Sequence, residues 1–161
     1  MAVDMFLKID GIEGESANAK HKGEIDIESY SMAAHQTGTF ATGGGGGAGK
    51  ASFSDITVVK KVDKSSPKLF EACATGKHIK SVVISVNKAG GQQEEYIKYT
   101  LSDVLISGFQ GSGSESSDSV PTESISFNFA KIEMEYKEQK SAGSTGGAVK
   151  AGYDIKANKK V

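Results

Sequence analysis

Residues 43–50 read Gly-Gly-Gly-Gly-Gly-Ala-Gly-Lys, and the chain continues Ala51-Ser-Phe-Ser-Asp-Ile-Thr-Val-Val59. Gly44, Gly49 and Lys50 match the nucleotide-binding pattern G-x-x-x-x-G-K-[ST] up to its last position, which Ala51 breaks. A phosphate loop needs a hydroxyl there to hold magnesium, and a helix N-terminus to aim backbone N–H groups at the phosphates. After Ala51 the chain instead places Phe53, Ile56, Val58 and Val59 in a run rich in β-branched residues, the composition of a strand. The segment therefore reads as an extended glycine-rich loop between strands.

Working outward, apolar residues alternate at Met5-Leu7-Ile9, Ile25-Ile27, Val82-Ile84-Val86, Ile97-Tyr99-Leu101, Ile125-Phe127-Phe129, Ile132-Met134-Tyr136 and Tyr153-Ile155. A period of two marks strands with one buried face. The phase slips twice, between Ile27 and Tyr30 and between Phe129 and Ile132, as it does where a strand carries a bulge or bends between sheets. The expected fold is mainly β: an antiparallel β-barrel of two sheets, in a single domain spanning residues 1–161. One segment breaks the pattern. Ser65-Ser66-Pro67, apolar Leu69, Phe70, Ala72 and Cys73, and then Gly76 spell a short helix. Ser65 or Ser66 would accept from its first free N–H groups, Pro67 is tolerated in the first turn, and Gly76 closes it in the left-handed conformation. Leu69, Phe70 and Cys73 would dock on the barrel. Residues 13–23, 43–49, 108–122 and 139–147 read as loops.

Composition narrows the function. The 161 residues include 20 glycines and two prolines, with 37% hydrophobic residues and no tryptophan, so the core must come from thin elements carrying Ile, Val, Leu, Phe and Tyr. All 19 basic residues are lysine against 20 acids, for a net charge of -1. Without arginine forks or a local basic stripe, nucleic acid is not an expected partner. The pairs Lys60–Lys61 and Lys159–Lys160 read as solvated edges. The N-terminus has an acid at position 4 and no long apolar run, so neither a secretory signal nor a membrane anchor is expected. Cys73 is alone, which rules out an intrachain disulfide and any cysteine-based metal site.

No catalytic motif emerges. His21 lies in a Lys-His-Lys stretch, His78 follows the helix stop and His35 alternates with threonines, so all three are expected at the surface. Cys73 reads as a small buried hydrophobe. Glu94 and Glu95 fall on opposite strand faces and cannot act together. Neither enzyme activity, a cofactor nor a metal is expected. More informative is a division of side chains within two strands. Ser29 and Ser31 alternate with Tyr30 and Met32, and Ser124, Ser126 and Asn128 alternate with Ile125, Phe127 and Phe129. One face is core and the other small and weakly polar, where an ordinary solvated face would carry Lys and Glu. Small uncharged residues suit the lining of a confined space.

Along its whole length the chain resembles the haemolysin-coregulated protein (Hcp) family. The residues that carry the resemblance are Met1-Ala-Val-Asp-Met-Phe-Leu-Lys-Ile9, the block 43–50, the segment from Asp63-Lys-Ser-Ser-Pro67 to Gly76-Lys-His78, Lys88-Ala-Gly-Gly91, Asn128-Phe-Ala130, and Val149-Lys-Ala-Gly-Tyr-Asp-Ile155. Where the family often has Gly-Trp, this chain has Gly152-Tyr153. The resemblance implies a tube subunit of the type VI secretion system, made in the cytoplasm and then secreted without a cleavable signal. It implies a β-barrel with one flanking helix that assembles into a homo-hexameric ring. Rings stack into a tube tipped by a spike protein and driven by a contractile sheath, and the pore carries small secreted effector proteins. No fused toxin domain is expected after Tyr153. On this reading Ser29, Ser31, Ser124, Ser126 and Asn128 face the pore, and Gly43, Gly44, Gly45, Gly46, Gly47, Gly49 and Lys50 form a loop that contacts the next ring. The competing reading is a monomeric ligand-binding β-barrel module. It lacks an aromatic platform, since only 7% of residues are aromatic and these alternate into the core.

Overall fold

In the computed structural model, which describes residues 2–38, 49–89, 94–116, 120–139 and 145–161, the alternating segments form antiparallel strands. They are β1 (Val3–Ile9), β2 (Ile25–Ile27), β3 (Ser29–Ser31), β4 (Ala34–His35), β5 (Ser52–Phe53), β6 (Ile56–Lys61), β7 (His78–Lys88), β8 (Glu95–Ser112), β9 (Thr122–Gln139), β10 (Thr145–Asp154) and β11 (Lys159–Lys160). One short helix, α1 (Ser66–Thr75), joins β6 to β7. The main sheet runs β11-β10-β9-β8-β7-β1-β2. The long strand β9 serves two neighbours on one edge: its first half pairs with β6 and its second half with β10. β3 lies against β6, and β4 and β5 make a separate hairpin at the stem of the glycine-rich segment.

The sheet wraps on itself, but its ladders do not close into a true barrel. β2 ends at Ile27 and β3 begins at Ser29. The chain itself crosses the gap at Glu28, whose N–H donates to the Val59 carbonyl at 2.7 Å. This break is the first of the two phase slips.

The second slip belongs to a crease that crosses three strands at one level. On its near side Ile79, Val104 and Phe129 are register partners, and on its far side Val82, Leu101 and Ile132 are. All six are buried, so in each strand the inward-facing parity changes within three residues. Asp103 sits at the crease with φ 53, a left-handed backbone that a residue other than glycine seldom adopts. Turning three strands together keeps their ladder intact while the sheet folds over its core. Leu7, Ile25, Ile56, Val58, Leu69, Ile84, Leu101, Ile125 and Phe127 are fully enclosed there. Each large apolar side chain so buried contributes about 1.5–3 kcal/mol.

Gly76 ends the helix as expected, at φ 65, with its N–H on the Cys73 carbonyl and the Lys77 N–H on that of Ala72. The start differs from expectation. Neither Ser65 nor Ser66 caps the first free N–H groups: Ser65 donates to Asp63, and the Ser66 hydroxyl accepts from the Asp63 N–H and donates to Glu123. Leu69 and Ala72 dock on the core with Cys73 packed beside them, whereas Phe70 is 60% exposed. The expected loop 108–122 also shrinks, because β8 continues to Ser112 and β9 starts at Thr122. Likewise β9 and β10 take up the ends of the expected loop 139–147.

Candidate functional site

Burial of Ile56 and Val58 on β6, and of Ile125 and Phe127 on β9, turns the residues between them outward. Ser29 and Ser31 alternate likewise with Tyr30, which packs on the core. The register then aligns them into rungs. Ser31 pairs with Thr57, Thr57 with Ser126 and Ser126 with Gly108, while Ser29 pairs with Val59, Val59 with Ser124 and Ser124 with Gln110. Ser29, Ser31 and Asn128 are exposed, and Ser124 and Ser126 half-buried. The five residues singled out from the sequence thus share one face, with β6 between the two groups.

The face is a sheet of short hydrogen-bonding side chains. Thr57 Oγ1 and Ser126 Oγ lie 2.9 Å apart across the ladder. At Gly108 there is no side chain, and a Cβ there would meet the Ser126 Cβ and Oγ at 3.4 Å. At the lower border Asp55 accepts from Asn128 Nδ2 at 2.9 Å and from the Ser107 hydroxyl at 2.6 Å, so both carboxylate oxygens are engaged. Reasoning from the sequence missed Thr57, Val59, Gly108, Gln110, Ser107 and Asp55. The alternation of Ile56 and Val58 was the available signal for the first two. The others depend on the pairing of β8 with β9, which one strand's pattern does not contain.

Behind this face Tyr30 meets Tyr99, their hydroxyls 3.3 Å and ring centroids 5.2 Å apart. Burial first, and then this hydrogen bond, push the Tyr30 phenol well above its usual range, so it stays neutral and anchors β3 over the core. The histidines do not assemble into a reactive group. His21 is not at the surface: it is buried, stacked on Phe6 at 4.3 Å, with Nδ1 3.0 Å from both Glu24 oxygens and Nε2 2.9 Å from Asn87 Nδ2. His78 is exposed and pairs with Asp103 at 2.9 Å, and His35 is exposed. Among the described residues no group of three or more His, Cys, Asp or Glu could hold a metal ion.

Lys60 also departs from expectation. It is fully buried, not a solvated edge, and its Nζ lies 2.5 Å from Glu123 Oε1 and 3.0 Å from Asp63 Oδ1. The Ser66 hydroxyl binds the same Glu123 oxygen, so the cluster ties the start of α1 to β6 and β9.

Of the glycine-rich segment, Gly43 to Gly47 lie outside the described residues. Gly49 donates its N–H to the Thr37 carbonyl at 3.4 Å and Lys50 is exposed. The chain then enters β5 and not a helix, which removes the helix N-terminus that a phosphate loop requires.

The family model described as "Type VI secretion system effector, Hcp" matches residues 6–136. The chain is 43% identical over 160 residues to protein hcp1 of Pseudomonas aeruginosa, covering 98% of each. It superposes on a solved type six secretion system protein with a TM-score of 0.95 at 30% identity, covering 99% of this chain and 100% of that one. On Hcp1 from Salmonella typhimurium the TM-score is 0.80 at 36% identity, with 99% and 100% covered. With the family model spanning most of its length and relatives this similar end to end, the chain belongs to the Hcp family of type VI secretion system proteins.

Proposed function

We propose that the chain is the structural subunit of a type VI secretion tube. Copies close into a homo-hexameric ring, the rings stack, and the tube works inside a contractile sheath behind a spike protein. Small effector proteins travel in the pore. The protein is made in the cytoplasm, leaves without a cleavable signal, and acts without catalysis or cofactor. Among the described residues no helix is long and apolar enough to cross a membrane.

Besides family membership, one observation carries the reading: the rungs from Ser29 and Ser31 to Gly108 and Gln110 form a continuous face of small side chains with almost no charge. A solvated sheet face of that size normally carries Lys and Glu, as the backs of β9 and β10 do with Lys131, Glu133, Glu135 and Lys150. Ser29, Ser31, Ser124, Ser126 and Asn128 line the pore, joined by Thr57 and Asp55. Gly43 to Gly47, Gly49 and Lys50 reach the neighbouring ring.

The test is Ser31→Gln. Ser31 is exposed, so the added volume points away from the packed core and the ring still assembles. Symmetry repeats the change around the pore, and cargo affinity falls roughly tenfold or more, a loss of about 1.4 kcal/mol. Cargo bound as well as by wild type, or Ser31 found buried between subunits, overturns the pore assignment. If light scattering at micromolar concentration gave only the 16.8 kDa chain, the monomeric binding module would be the better reading.

A further inference from the structure

The small polar face is bordered by charges of opposite sign at its two ends. On β6 the residues Thr57, Val59 and Lys61 turn outward, in line with Asp55 just before the strand, because Ile56, Val58 and Lys60 turn inward. Asp55 and Lys61 are both exposed. The two rungs between them, Ser31-Thr57-Ser126-Gly108 and Ser29-Val59-Ser124-Gln110, contain no charged residue. Neither charge is neutralised by its own neighbours. Lys61 pairs across the ladder with Thr122 and Thr122 with Ser112, and Lys61 has no ion-pair partner among the described residues. Asp55 is held by Asn128 Nδ2 at 2.9 Å and the Ser107 hydroxyl at 2.6 Å, both uncharged. Each of its carboxylate oxygens accepts one of these bonds, so the charge is held at a fixed point while it faces solvent.

From Asp55 to Lys61 an extended strand covers roughly 20 Å. A sheet that curves around an axis tilts its strands by about 35–45°, which sets the two residues at levels roughly 15 Å apart along that axis. That separation exceeds the Debye length of about 8 Å at physiological ionic strength, so the charges do not cancel and each acts on whatever passes its own level. Ring symmetry repeats both of them. The result is a girdle of carboxylates and a girdle of ammonium groups, with a neutral band of short hydroxyl side chains between.

We infer that this face selects protein cargo by charge polarity, holding a basic group of the cargo at the Asp55 level and an acidic group at the Lys61 level. The hydroxyls between accept any hydrogen-bonding surface and discriminate little, so the charged borders carry the specificity. A cargo of one sign throughout meets a like charge at one level, whichever way it enters. A cargo whose charges are separated satisfies both levels in one orientation only, and is thereby aligned in the pore. The inference rests on the pore reading and names the chemistry of the cargo that the pore takes.

The probe is a synthetic peptide with a lysine block and a glutamate block joined by a Gly-Ser spacer of about seven residues, whose root-mean-square span matches the distance between the two levels. Its control has the same residues with lysine and glutamate alternating. One tryptophan in each spacer reports binding, because this chain has none. The wild-type ring should bind the block peptide roughly fivefold more tightly than the control, the effect of one well-placed exposed ion pair. Asp55→Asn and Lys61→Gln should each bring the two peptides to within about twofold of one another. Raising the salt to about 1 M, where the Debye length is about 3 Å, should do the same to wild type. A nitroxide on Ser31→Cys, in a Cys73→Ser background, should quench the tryptophan, because Ser31 lies on a rung between the two levels. Should Asp55→Asn misfold by far-UV circular dichroism, Lys61→Gln, at an exposed position, carries the test alone. Equal affinity of the two peptides, no binding of either, or a preference that survives Lys61→Gln overturns the polarity; equal affinity with quenching at Ser31 leaves the pore reading standing. Binding without quenching means that the peptides do not reach this face, which overturns the pore reading together with the polarity. A wild type that light scattering, run first, finds only at 16.8 kDa would overturn the ring reading and this inference with it.

Discussion

Replacing Lys60 with methionine should be among the most damaging single changes in the molecule. Methionine keeps most of the unbranched stem and removes only the ammonium group, so the packing loss is small and the electrostatic loss dominates. The Lys60 side chain is 0% exposed, that of Glu123 2% and that of Asp63 15%. Without the ammonium, Glu123 is a buried carboxylate whose remaining side-chain partner among the described residues is the Ser66 hydroxyl, while Asp63 reaches water and keeps the Ser65 N–H. Breaking a buried pair from one side costs about 3–5 kcal/mol. At about 2–4 °C per kcal/mol for a domain of this size, Tm should fall by roughly 10 °C. The double variant Lys60→Met with Glu123→Leu removes both charges and should recover to within about 1 kcal/mol of wild type. Guanidinium unfolding followed by circular dichroism measures this, at one fixed protein concentration because assembly adds to apparent stability. A Lys60→Met loss under about 1 kcal/mol, or a double variant no more stable than the single one, would refute the reasoning.

Gly14 and Gly147 make a matched pair: a Cβ at Gly14 would lie 2.5 Å from the Glu24 carbonyl and 2.6 Å from Ile25 Cγ1, while one at Gly147 meets nothing within 4 Å. Gly14→Ala should therefore cost about 2–3 kcal/mol in denaturant melts and Gly147→Ala under about 0.5 kcal/mol. Asp26 has its carboxyl raised above the usual value by burial first and then by Asp63 and Asp4, so its folded form holds the proton more tightly than the unfolded chain does. Its charge opposes folding at neutral pH, and the penalty fades as pH falls through the raised value. Asp26→Asn should accordingly raise Tm slightly at pH 7 and narrow that gain in melts taken toward pH 4. Deleting residues 44–47 should leave rings intact and abolish tubes in negative-stain images; monomers, or unchanged tubes, would count against a stacking role for the loop.

The sequence was most legible where a short-range pattern sufficed. Period-two alternation located the strands, and Pro67 with Gly76 bracketed the helix, because turn and cap chemistry is local. The small polar face was legible for the same reason: burying Ile125 and Phe127 forces Ser124, Ser126 and Asn128 to the other side. One inward signal was present in the chain and outweighed. Lys60 shares its parity with Ile56 and Val58, so alternation pointed it inward, but its neighbour Lys61 made the pair look like a solvated edge.

What the chain determined alone was which residues of each strand turn together, since a pleated backbone fixes that without reference to any neighbour. The tertiary structure decided what each face meets. His21 is buried because Phe6 and Asn87 come to it from distant strands. Lys60 can be enclosed because β9 brings Glu123 to it and the turn before α1 brings Asp63, and Phe70 is left out because Leu69 and Ala72 take the place on the core. Across β7, β8 and β9 the crease reverses inside and outside at one level; the spacing from Phe129 to Ile132 records the slip in β9, but only the register aligns it with those of the neighbouring strands. These outcomes depend on contacts between residues far apart in sequence, and only the packed sheet sets the register that brings them together.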